Sequence, residues 1–149
     1  MSLDVYLILP SDDPKPIGTG VFVREGGSTI ELTAEQVKER FPGYAPMPAI
    51  QDAGDEVYWR NITHNLGKMA SEAGLYEALW RPEEKGWVKA KQLVDPIAAG
   101  LAELVSDPDR YKKLNPENGW GSYDGLVEFA QDYLMACIKY PEADVRVSR

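Results

Sequence analysis

The sequence predicts an α+β fold: a small N-terminal antiparallel sheet, joined by a C-terminal strand, packed on a helical C-terminal two-thirds. Three observations carry that expectation. Leu3, Val5, Leu7 and Leu9 alternate with Asp4, Tyr6 and Ile8. Two short β-rich segments flank a Gly26-Gly27-Ser28 turn. From residue 61 onward apolar residues recur with a helical period. The length of 149 residues suits one domain, and residues 1–149 are expected to fold as a single domain.

Period two over residues 3–9 predicts the first strand, and Pro10-Ser11-Asp12-Asp13-Pro14 breaks it. Val21-Phe22-Val23 and Thr29-Ile30-Glu31-Leu32 read as a hairpin. Thr33-Ala34-Glu35-Gln36 has the form of a capping box and predicts a short helix to about Arg40. Residues 41–55, rich in proline and glycine, read as a long irregular loop, a kind of segment that often carries function. Glu56-Val57-Tyr58-Trp59 reads as a brief strand.

Ile62, Leu66, Met69, Ala70 and Ala73 share one helical stripe, with Gly74 as the stop. Leu75–Trp80 is a further short helix ended by Arg81-Pro82. Leu93, Val94, Ile97, Leu101, Leu104 and Val105 form a stripe that runs in phase across Pro96. Either one helix kinks there or Asp95 caps a new helix, and the second is the expectation. Ser106-Asp107-Pro108 opens a short helix through Leu114, and Ser122 caps a long one carrying Leu126, Ala130, Tyr133 and Cys137. Val145 and Val147 flank Arg146 and are expected to add a last strand to the N-terminal sheet.

The formal net charge is −8, with acidic residues spread along the chain. Such an excess repels phosphate backbones, so binding of duplex nucleic acid is not expected. The longest apolar runs fall far below the ~20 residues of a membrane helix, and no membrane partner is expected. Met1-Ser2-Leu3-Asp4 lacks the features of a signal peptide, and Cys137 has no cysteine to pair with. Those features point to a cytoplasmic protein.

Catalytic and cofactor motifs fail on spacing. Gly67-Lys68-Met69 lacks the first glycine and the hydroxyl residue of a phosphate loop. Residues 119–125 are one residue too long for a dinucleotide fingerprint, and Gly121-Ser122-Tyr123 is not a nucleophile elbow. With His64 as the single histidine, neither a metal nor another cofactor is expected, and no catalytic residue is assigned.

Two segments concentrate polar and aromatic residues. On a helix starting near residue 62, Asn61, His64, Lys68 and Ser71 would form one polar stripe, with Asn65 in the same run. The stripe is either a solvated face or the wall of a cleft in which His64 donates a hydrogen bond or carries a proton. The second segment is Asn118-Gly119-Trp120-Gly121-Ser122-Tyr123. It is either a tight loop plugged by its tryptophan or a site for an anion and a ring at a helix N-terminus. Trp80-Arg81 suits stacking on a planar ligand, and suits a helix end equally.

The runs Asn61–Ala70, Leu75-Tyr76-Glu77, Leu79–Glu84 and Asn118–Tyr123 resemble a group of small proteins from bacteriophages and bacteria with no assigned activity. The resemblance spans residues 56–149 and the opening Leu3–Leu7. It implies a phage or prophage setting, hence a bacterial host cytoplasm, and carries no catalytic residue across. The expectation drawn from the residues is a small-ligand-binding protein for a nucleotide-like, anionic, ring-bearing molecule, acting as a phage accessory or anti-defence factor. Two alternatives stay open: an inhibitor or accessory factor that binds a host protein through its acidic surface, and an enzyme with His64 as general base.

Overall fold

The computed structural model describes residues 1–10, 16–19, 21–43, 49–50 and 54–149. They form two compact units, Met1–Leu9 with Asp55–Arg149, and Pro10–Gly54. The fold is α+β. Residues 11–14 of the expected break, and residues 44–48 and 51–53 of the 41–55 loop, lie outside the described residues.

In the larger unit the sheet order is β6-β1-β7, where β1 is Ser2–Pro10, β6 is Gly54–Thr63 and β7 is Asp144–Ser148. Leu3, Val5 and Leu7 turn one face of β1 into the core and are fully buried. β7 pairs antiparallel with β1, setting Val147 against Val5 and Val145 against Leu7, so the expected C-terminal strand joins the sheet. On the other side of β1, the His64 N–H donates to the Met1 carbonyl at 3.4 Å, which places the end of β6 beside the start of β1.

Helices cover the inner face. They are α2 (Gly67–Glu72), α3 (Tyr76–Trp80), α4 (Ala90–Ser106), α5 (Pro108–Lys112) and α6 (Tyr123–Lys139). α6 starts where Ser122 accepts from the Gly125 N–H, and α5 where Asp107 accepts from the Arg110 N–H. Leu126, Phe129, Ala130, Tyr133 and Cys137 of α6 join Leu93, Ile97 and Leu104 of α4 in the core. Tyr58 and Arg60 of β6 both reach Asp132 of α6 at 2.8 Å, fastening the strand to the helix. The hydrogen bonds from Tyr58 and then Arg60 hold the Asp132 carboxyl below its ordinary range.

The smaller unit contains the expected hairpin, β3 (Phe22–Glu25) with β4 (Ser28–Glu31), and helix α1 (Ala34–Arg40). A pair of short strands, β2 (Pro16–Gly18) and β5 (Ala49–Ile50), completes it. The Thr33–Gln36 capping box is formed in both directions.

Two expectations are corrected. Residues 61–63 are strand, not helix: β6 runs through Thr63, a 3-10 turn covers His64–Leu66, and α2 begins at Gly67. The proposed polar stripe is therefore not one helical face. At Pro96 the chain does not start a new helix, since α4 is continuous from Ala90 to Ser106 with the proline inside it. Leu93, Ile97 and Leu104 lie on both sides of Pro96 and are fully buried. At about 1.5–3 kcal/mol for each buried side chain, that stripe outweighs the roughly 3 kcal/mol cost of an interior proline.

Candidate functional site

The larger unit carries an open cleft of about 470 Å3 where the end of β6, the start of β1 and the α5–α6 loop meet. Met1 and Ser2 line it from β1, Asn61 and Thr63 from β6, Asn65 from the 3-10 turn, and Asn118 and Trp120 from the loop. All seven side chains are uncharged.

Local chemistry holds the loop in place. The Asn118 side-chain oxygen accepts from the Trp120 N–H at 3.0 Å, closing an Asx turn. Asn65 Nδ2 reaches the same oxygen at 3.5 Å and the Trp120 carbonyl at 3.4 Å, weak bonds that join the turn to the loop. Gly121 has φ +99°, and a Cβ there would lie 2.7 Å from Thr63 Cγ2 and 2.9 Å from Leu66 Cγ. The missing side chain lets the loop backbone close onto the end of β6. Trp120 stands out of this anchored backbone with 71% of its surface exposed.

On the β6 wall, Asn61 Nδ2 donates to Asp4 Oδ1 at 2.8 Å, leaving the amide oxygen as an acceptor. Asn65 likewise spends its amide nitrogen on the loop, whereas Asn118 spends its oxygen and keeps its amide donors. The cleft thus offers acceptors and donors around an exposed indole. Among the described residues, no three His, Cys, Asp or Glu side chains gather closely enough to hold a metal ion. No helix of the described residues is long and apolar enough to cross a membrane.

No family model matches the chain, and no curated protein or solved structure matches it either. The site therefore stands on its own geometry.

Of the residues singled out from sequence, the structure brings Asn61, Asn65, Asn118 and Trp120 together in the cleft. His64 is not among the lining residues. It turns to Trp80, whose indole N–H donates to His64 Nδ1 at 2.8 Å, so the neutral ring carries its proton on Nε2. Trp80 is buried, stacked on Tyr76 with ring centroids 5.5 Å apart. Arg81 is held by Tyr76 and Glu84 at the end of α3. Lys68 is exposed on α2. Ser122 is the cap of α6. Tyr123 is buried, its hydroxyl donating to the Leu104 carbonyl at 3.0 Å and its N–H to Asn115 at 2.7 Å.

Sequence reading missed Met1, Ser2 and Thr63 as lining residues. It also passed over Trp59 and Asp4, whose side chains meet beside the cleft, with Trp59 Nε1 donating to Asp4 Oδ1 at 3.3 Å. The signal was period two: Trp59 and Asn61 alternate with Tyr58, Arg60 and Ile62, and therefore share the outer face.

Proposed function

We propose that the protein binds a small ring-bearing molecule in this cleft, the ring lying on Trp120 and its polar edge meeting Asn61, Asn65 and Asn118. The observation that carries this reading is a large indole held out in water on a backbone fastened at Asn118 and packed tight at Gly121. An indole left in solvent gains nothing for the fold, and a rigid aromatic beside convergent amides is the usual make-up of a ligand site.

A nucleotide is one such molecule, with its base on Trp120. The support is for the ring more than for the phosphate. No lysine or arginine lines the cleft. At the α6 N-terminus, the Tyr123 and Gly125 N–H groups are already taken by Asn115 and Ser122. Nor does the geometry favour His64 as a general base, because its Nδ1 lone pair is committed to Trp80 and its ring is outside the lining. A setting in a phage-infected cell, where such a protein would sequester a host signal, rests on the resemblance of the motifs alone.

The test is calorimetric titration with nucleosides, mono-, di- and cyclic nucleotides, and sugars. A ligand should bind, and Trp120→Ala should weaken it about tenfold through loss of stacking. The exposed position predicts an unchanged melting temperature for that variant. Absence of binding by every ring-bearing ligand, or binding indifferent to Trp120→Ala, would overturn the proposal.

A further inference from the structure

We propose that the cleft continues along the outer face of β6 and β1 as a track for an uncharged oligosaccharide. This rests on the reading of the cleft as a ring-binding site and names the class of ligand.

Trp59 is 55% exposed on the face of β6 that points away from the helices. Its neighbour Tyr58 points the other way, stacked on Tyr133 of α6. The Trp59 indole is tethered by its N–H to Asp4 Oδ1, the oxygen that also receives the Asn61 amide. It is thus a second indole held out in solvent in a fixed pose. Asn61 lines the cleft and touches Asp4, so the two places are continuous.

Trp59 and Thr63 are separated by four residues of strand, about 13 Å at the rise of a β-strand. The Trp120 loop abuts Thr63 through Gly121. Trp59 and the Trp120 loop therefore lie at opposite ends of this stretch of strand, with Asn61 and the Asp4 carboxylate between them. A single ring occupies one end only, and a chain of linked rings reaches both.

The chemistry between the indoles chooses among such chains. A phosphodiester strand would place its negative charges, one per nucleotide, beside the Asp4 carboxylate; no lysine or arginine lines the cleft, and the Met1 α-amino group is the single cation among the lining residues. Arg146 is on the same sheet face but on β7, opposite Tyr6 and across β1 from β6. Sugar hydroxyls both donate and accept. They can donate to the Asp4 carboxylate and the Asn61 oxygen, and accept from Asn118. The C–H face of a pyranose is weakly positive and lies well on the negative face of an indole.

The test is titration of the full chain with neutral hexasaccharides of β-1,4-glucose, α-1,4-glucose and β-1,4-N-acetylglucosamine, with their monosaccharides, and with a six-residue thymidine oligonucleotide. At least one hexasaccharide should bind. Trp59→Ala should weaken that binding about tenfold, whereas Trp59→Phe, which keeps a stacking face, should retain most of it. Circular dichroism checks that both variants fold. The matching monosaccharide should bind more weakly and be indifferent to Trp59→Ala.

Hexasaccharide binding that ignores both Trp59 variants would overturn the track, as would binding of the oligonucleotide but of no hexasaccharide. If a nucleoside or monosaccharide binds in a Trp120-dependent way and no hexasaccharide does, the ring-binding reading stands and the oligosaccharide is refuted. If no ring-bearing ligand binds, both fall.

Discussion

Tyr133 lies inside the core, stacked on Tyr58 with ring centroids 5.6 Å apart and tilted against Phe129. Its buried hydroxyl has no hydrogen-bond partner among the described residues. A buried polar group without a partner costs about 1–3 kcal/mol. Tyr133→Phe removes that oxygen and keeps the ring, so it should raise the melting temperature by a few degrees, read by differential scanning calorimetry. A fall would show that the hydroxyl has a role in the native core. Cys137, one turn along, is buried as a small hydrophobe, as its place in the apolar stripe predicted, and burial pushes its thiol up to about 12. Burial of this kind was legible from periodicity. The bond between Trp80 and His64 was not, because it joins residues from two elements whose approach no local pattern encodes. That one contact redirects the imidazole that sequence reading had aimed at the cleft.

At the scale of elements, patterns carried by a single dominant force were readable. The alternating first strand, the Thr33 capping box, the hairpin and the Ser122 and Asp107 caps all stand where local chemistry put them. The failures came where two signals overlapped. Ile62 and Leu66 fit a helical stripe, yet Ile62 is equally the inward residue after Tyr58 and Arg60 in a strand. Pairing beside β1 decides in favour of the strand. The cleft inherits this outcome, since a strand sends Asn61 and Thr63 to one face where a helix would have splayed them. Pro96 is the second overlap, a local helix breaker inside a stripe that tertiary packing keeps whole. It lacks the N–H of a helix interior, so Pro96→Ala should stabilise α4. The expected gain is about 1–2 kcal/mol once the greater freedom of the unfolded alanine chain is subtracted. Urea denaturation measures it, and a lower midpoint would show that the proline is needed for the packing of α4.

Over the whole molecule, the connection that closes the larger unit joins the two ends of the chain. β1 lies between β6 and β7, and Asp4 faces Ser148 across nearly the full length of the sequence. β7 is further tied by Val145 N–H to the Val88 carbonyl at 2.9 Å, by the Lys89–Asp144 ion pair at 2.6 Å, and by Arg149 to Glu83. Contacts of such long range are slow to form, because the loop they close must lose its freedom first. A chain ending at residue 143 leaves an edge of β1 unpaired and uncovers Val5 and Leu7. It should lose cooperative melting in circular dichroism. Retention of a sharp, unshifted transition would show that β7 is an accessory to the fold.

Gly121 has a consequence that reaches beyond its own turn. The seat of the loop tryptophan is defined by a methyl group that is not there, and the space it would need is filled by Thr63 and by Leu66 of the core, so the mouth of the cleft rests directly on the hydrophobic interior. Any side chain at that point would wedge the loop away from Thr63 and swing the indole off its perch. Recognition and folding thus meet at this glycine, since its left-handed backbone and its close approach to Leu66 serve the packing of the core while they aim the indole.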